Sequence, residues 1–427
     1  MTVEIPAQNG SVDTFRYTWP ITGVDATLER FDESRDGLSA EFTIIEAGTG
    51  ALLHSARLNI MASTTRATLV KALGSRRTDI DWGALIEQVC YLAKERYREG
   101  EPLIDLRDVV VGSRPRWYLE PYVEQSGATI LFADGGSGKS IIAMALAVLA
   151  ATGEGPIGKM RGEPKPVIYL DWEADPHTHA ERLGALCLGH SIKRAPPIYY
   201  RRQSASLVEA APIIKKDVER IGAGLVIVDA MGAARSGDPV SAELTIKTFN
   251  AARAFGVPWI GVDHVPKGTK GLSIRGHARP FGSTYTHDMA RVTWSLERDD
   301  DEMPDGGVAI SMVNHKANNG RLANNQGWKM HYEMQENGED LRAVQIERMD
   351  IRDSPGLVKN LPMRERILAF IHNQDGSHAS EDSIIGALSN HNAKKDDSPQ
   401  IRARISELRK FKKIVKLSSG DFGIVGV

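Results

Sequence analysis

Residues Ala133-Asp134-Gly135-Gly136-Ser137-Gly138-Lys139-Ser140 place three glycines, a lysine and two hydroxyls in one short stretch. The apolar run ATILF lies directly before it and IIAMALAVLA directly after it. Glycines lack a Cβ, so successive backbone N–H groups can turn inward around an anion, and a helix starting there points its positive end at the same charge. Set between strand and helix, this is a phosphate-binding Walker A loop. Lys139 would reach the β- and γ-phosphates of ATP, and the Ser140 hydroxyl would ligate Mg²⁺. Ala133 stands where the pattern usually has glycine, and its methyl group is tolerated if the backbone angles there are ordinary.

Hydrolysis asks for two more acids. Asp229 ends the apolar run LVIVDA and suits the second Mg²⁺ position, the Walker B carboxylate. A group must also polarise the attacking water. Glu173, closing PVIYLDWE, is the candidate; Asp171 competes, but two residues earlier in a strand it should sit deeper, beneath the nucleotide. Asp263 and His264 end VPWIGVDH, at the sheet edge where parallel α/β folds place ligands, and His264 could sense the γ-phosphate. Asp175, His177 and His179 resemble a metal cluster, but capping of a helix accounts for Asp175 and the two histidines then have no third close ligand.

These residues need a scaffold of short apolar runs alternating with helices from Gly127 onward. Uninterrupted Val, Ile and Leu suit strands buried on both faces, hence a mostly parallel sheet flanked by helices, with further strands at RVTWSLER, VAISMVN and WKMHYEM. The fold class is therefore α/β with a P-loop NTPase core. Residues 1–110, with three strand-like runs and helices from Ser63 to Leu73 and Trp82 to Arg98, form a small α+β domain of unknown role. The core occupies residues 125–350, and residues 360–427 run helix, helix, helix, β-hairpin, the order of a winged helix. Between the first domain and the core, Arg114, Arg116, Trp117 and Tyr118 suit an aromatic anchor onto the core rather than a base-stacking platform.

The order GGSGKS, LDWE, LVIVDA, VDH and GSTYTHDMAR resembles the RecA-like core of hexameric helicases, most of all the plasmid RepA-type replication helicases, which are related to the DnaB group. The likeness spans about residues 127–350. It implies a ring, hexameric in that family, with Glu173 as catalytic carboxylate, His264 as sensor and Arg291 as an arginine finger reaching the neighbouring subunit's nucleotide. Lys316 is a second candidate for that trans charge.

Nucleic acid would be met locally. The stretch 267–285 carries Lys267, Lys270, Arg275, His277 and Arg279, no acid and four glycines, which suits a channel loop holding single-stranded DNA or RNA. Between Ser398 and Leu417, seven basic residues face one acid, Glu407, and Ile401, Ile405 and Leu408 share the opposite face. A basic recognition helix beside a wing would contact duplex DNA. Other assignments fit the same residues: a recombination-type ATPase that separates no strands, or a regulatory ATPase using the last module to dock DNA or a partner.

Composition sets the outer bounds. With 427 residues, 41% hydrophobic and 25% charged, the chain is an ordinary multi-domain folded protein. Lys plus Arg is 53 against 55 for Asp plus Glu, so the net charge of −2 gives no overall attraction to nucleic acid or anionic lipid. Two cysteines, Cys90 and Cys187, provide no disulfide framework, and no apolar run is long enough to span a bilayer. A cytoplasmic, membrane-free homo-oligomer using ATP and Mg²⁺ is the expectation.

Overall fold

The computed structural model describes residues 4–425, apart from 11–13, 101–102, 111, 113–115, 239, 266–283, 300–302, 304–305, 319–321, 324, 339, 359–360 and 390–397. Lys267, Lys270, Arg275, His277 and Arg279 therefore lie outside the described residues, as does Arg114. The chain folds as two compact units, residues 1–113 and 114–427.

In the first unit, β1 (Ala7–Gly10), β2 (Thr14–Trp19), β3 (Val24–Ser34), β4 (Gly37–Glu46) and β5 (Leu52–Asn59) form one antiparallel meander. Strict alternation, buried at Phe15, Tyr17, Trp19, Val24, Ala26 and Leu28, gives the sheet one apolar face. The helices α1 (Ser63–Gly74) and α2 (Trp82–Glu99) cover it through Leu69, Leu73, Leu85, Ile86, Val89 and Ala93. Asp81 caps α2 by accepting from the Ala84 N–H.

The second unit opens with a ribbon, β6 (Trp117–Leu119) and β7 (Val123–Glu124). Tyr118, Leu119 and Tyr122 sink into the core next to it, so the aromatic residues of this stretch are packing groups. There follow β8 (Ala128–Ala133), α3 (Lys139–Thr152), a ribbon of β9 (Glu154–Gly155) and β10 (Gly158–Lys159), β11 (Val167–Asp171), α4 (Pro176–Gly189), β12 (Ile198–Arg202) and α5 (Leu207–Ile221). Next come β13 (Leu225–Asp229), α6 (Met231–Arg235), α7 (Ala242–Arg253), β14 (Trp259–His264), α8 (Thr284–Met289) and β15 (Val292–Arg298). Three further strands, β16 (Val308–Ala317), β17 (Gln326–Met334) and β18 (Leu341–Met349), complete a nine-stranded sheet in the order β12-β11-β13-β14-β8-β15-β16-β17-β18. The first six strands of that order are parallel, and the last three continue antiparallel from β15.

Alternation along the parallel strands feeds two cores. Leu131, Tyr169, Ile227 and Val262 pack with the apolar residues 141–151 of α3 on one face, while Ile130, Leu170, Val228 and Trp259 pack with α5 and α7 on the other.

Beyond α9 (Pro355–Val358), the chain forms α10 (Met363–His372), β19 (His378–Ala379), α11 (Glu381–Leu388), α12 (Ser398–Lys410), β20 (Ile414–Lys416) and β21 (Phe422–Ile424). Three helices enclose a small core of Ile367, Ile371, Ile384, Ile401, Ile405 and Leu408, and β19 joins the hairpin in the order β19-β21-β20.

Candidate nucleotide site

The site forms at the carboxyl edge of the parallel strands. β8 runs into the loop 134–138 and α3 begins at Lys139; Gly136 and Gly138 take φ of +77° and +84°, which side chains with a Cβ rarely adopt. Gly138 is also needed for space, because a Cβ there would lie 2.9 Å from Ile310 Cδ1 of β16. Ser137 Oγ donates to the Asp134 carbonyl at 2.6 Å, which closes the turn. The loop thus presents backbone N–H groups at the positive end of α3, an anion cradle.

Lys139 is 7% exposed and donates its Nζ to the carbonyls of Ala133 (3.0 Å) and Asp134 (2.6 Å). Burial pulls its pKa below the ordinary lysine value, while the charges of Asp229, Asp134, Glu173 and Asp263 pull it back up. The carboxylates of Asp229, Asp134 and Glu173 bring negative charge and hard oxygen donors near one ammonium, which suits Mg²⁺. Ser140 and Asp229 would hold the ion, whose contribution is to neutralise the β- and γ-phosphate oxygens.

Strand register aligns the acids. Asp171 on β11 lies directly opposite Asp229 on β13, Asp229 opposite Val262 on β14, and His264 opposite Ala133 on β8. The alternation that puts Ile227 on the α3 face puts Asp229 there too, and likewise Tyr169 with Asp171 and Val262 with His264. Asp263 points the other way. It is fully buried and accepts from Arg235 Nη2 of α6 at 2.9 Å and from the His264 N–H at 2.9 Å. Burial pushes its carboxyl up and the guanidinium draws it back down. Asp263 and His264 share an edge but not a face.

Glu173 sits exposed on the turn after β11, within electrostatic reach of Lys139. Asp171 is occupied otherwise: its carboxylate accepts from the N–H groups of Glu173 and Ala174, each at 3.1 Å. Asp175 caps α4, accepting from His177 N–H, Thr178 N–H and Thr178 Oγ1.

Arg291 is not brought to this edge. It precedes β15, where Val292 pairs with Thr129 at the amino end of β8, so it lies roughly 17 Å from the carboxyl end of β8 at about 3.3 Å per residue. It is exposed, and its stem lies over Gly127, where a Cβ would come within 2.7 Å of Arg291 Cγ. Lys316 Nζ donates to the last carbonyls of α8, those of His287 (3.0 Å) and Asp288 (2.6 Å).

Three groups at the site carry no sequence signal. Arg298, at the carboxyl end of β15, donates from Nη1 to the Gly136 carbonyl at 3.3 Å. Tyr169 donates to Asp229 Oδ2 at 2.6 Å, and Arg235 supports the strand end carrying His264. Each acts through a partner far away in the chain, and only the period-two parity of Tyr169 with Asp171 could have hinted at the second.

A sequence-family model described as an AAA domain matches residues 97–270, a span that includes the loop, Glu173, Asp229 and His264 but ends before Arg291. No curated protein matches the chain in sequence. Among solved structures it is similar to the KaiC-like protein PH0186 from the hyperthermophilic archaeon Pyrococcus horikoshii OT3, at 12% identity and a TM-score of 0.37, over 55% of this chain and 98% of that one. The family match and the loop it contains make this stretch an α/β P-loop nucleotide-binding domain of the ATPase type.

Proposed function

We propose that the protein is an ATP-driven, ring-forming helicase or translocase, hexameric, acting on single-stranded nucleic acid in the replication of a plasmid, phage or other mobile element. The observation that carries this reading is the separation of Arg291 from its own phosphate loop. One sheet edge holds Lys139, Ser140, Glu173, Asp229 and His264, while the exposed Arg291 stands roughly five residues back along β8, about 17 Å away. Such a separation supports a role for the arginine at a neighbour's nucleotide rather than at its own.

In such a ring the loop N–H groups and Lys139 hold the triphosphate, with Lys139 exchanging its carbonyl partners for phosphate oxygens. Glu173 takes the proton of the attacking water, and the partner's guanidinium meets the charge that develops on the γ-phosphoryl group. His264, one strand over from the loop, would register the presence of that phosphoryl group and pass it to the basic stretch that follows it. Purified protein should hydrolyse ATP faster with single-stranded DNA than without and should displace a strand from a forked duplex. ATP turnover indifferent to nucleic acid, with no displacement, would overturn the helicase reading.

A regulatory ATPase that docks on duplex DNA through residues 360–427, taken as a winged helix, is the second reading. Exposed Lys410 at the end of α12, Lys412 and Lys413 in the turn after it, and Lys416 at the end of β20 favour it. Arg402 and Arg404, by contrast, are paired with Glu381 and Glu407, and Arg409 lies over the Phe422 ring, so duplex phosphates would meet the turn rather than the helix face. Deleting the chain from Met363 onward would abolish duplex binding and spare ATP turnover under this reading.

A further inference from the structure

Beneath the turn that carries Glu173 lies a buried polar assembly with no part in the chemistry described so far. Asp171 is 1% exposed. Besides the N–H groups of Glu173 and Ala174, its carboxylate accepts the Tyr200 hydroxyl at 3.0 Å and has His179 Nε2 at 3.3 Å from Oδ2. The His179 ring lies between Tyr169 and Tyr200, with centroids 4.5 and 5.4 Å away. Tyr169 in turn holds Asp229 Oδ2. The turn is pinned from its other side as well: the Trp172 N–H donates to the Asp229 carbonyl at 2.9 Å and the Trp172 indole N–H to the Ala205 carbonyl at 2.9 Å.

A buried carboxylate that already accepts from two backbone N–H groups and a phenol is poorly placed to take a proton from water, but charge-assisted bonds of this kind fix the backbone they grip. The backbone they grip here is that of Glu173 itself. We infer that Asp171 is a positioning residue: it orients the Glu173 carboxylate toward the attacking water. Through Tyr200, His179 and Tyr169 it ties that orientation to Asp229. The inference rests on the assignment of Glu173 as the group that polarises water. Two charged groups with distinct jobs thus occupy LDWE, one reaching the reaction and one holding the first in place.

The test is steady-state ATP turnover and nucleotide binding of full-length Asp171→Asn, Glu173→Gln, the double variant and Tyr200→Phe. Asp171→Asn keeps the shape but replaces one acceptor oxygen with an amide donor. It should lower kcat about 10- to 100-fold, leaving the KM for ATP with Mg²⁺ within about 3-fold of wild type. Added to Glu173→Gln it should cost almost nothing more, because both act on one water. Tyr200→Phe, which removes a single hydroxyl, should lower kcat by about 3- to 10-fold. Should Asp171→Asn melt below the assay temperature, Tyr200→Phe decides alone. Unchanged kcat in the folded variants, a loss expressed in KM, or independent multiplication of the two effects would overturn the inference. If Glu173→Gln cripples turnover while Asp171→Asn does not, the inference alone fails; wild-type turnover in Glu173→Gln removes the assignment beneath it.

Discussion

Lys139 is buried near carboxylates, and among the described residues its hydrogen-bond partners are two carbonyl oxygens. Lys139→Ala should abolish ATP turnover, and wild-type-like turnover would refute its assignment. Glu173→Gln should lower kcat by 100-fold or more while nucleotide binding, read by a fluorescent analogue, stays near wild type. Residues at this scale were legible where the motif is local. The loop 133–140 announces itself because eight consecutive residues do the work, and Asp229 and Glu173 because each closes an apolar run. Tyr169, Arg235 and Arg298 were not legible, since what they do depends on which strand lies beside which.

At the scale of elements, the loop is shaped by its neighbours as much as by its own glycines. Gly138→Ala combines a left-handed φ with a contact on Ile310, so it should cost about 1 to 2 kcal/mol and weaken nucleotide binding. A thermal melt lowered by a few degrees, with a raised KM, is the expected result. The β15–β16 pair carries a pH dependence of its own. His315 Nε2 lies 2.8 Å from Ser295 Oγ, and burial, helped by the His287 charge, holds its pKa down at about 4. The unfolded chain therefore binds the proton more tightly. The stabilisation is present above the ordinary histidine value and is lost as pH falls from about 6.5 toward 4, by up to roughly 3 kcal/mol. His315→Asn should flatten the dependence of melting temperature on pH in that window.

The elements hidden in the sequence were edges. β12 (IYYRR) and β18 (LRAVQIERM) are the two outermost strands of the nine, and their exposed sides carry arginine, glutamine and glutamate instead of an unbroken apolar run. The central strands are buried on both faces and read plainly. The first unit's β2 is not among the three strand-like runs expected there, although its alternating TFRYTW is bounded by Asn9, Gly10 and Pro20.

At the scale of the whole molecule, the proposed ring asks subunits to complete one another's sites. With Arg291 at the far end of its own sheet, closed rings are expected in particle images with a non-hydrolysable nucleotide; open filaments would favour the recombination-type ATPase. The most direct measurement mixes two inactive proteins. Arg291→Ala retains Glu173 but lends no arginine, and Glu173→Ala lends an arginine but lacks the carboxylate. In a mixed ring, some interfaces pair an intact Glu173 with an intact Arg291. Turnover in the mixture well above that of either protein alone is the predicted result, and a mixture no more active than its components at every ratio would contradict a nucleotide site shared between subunits.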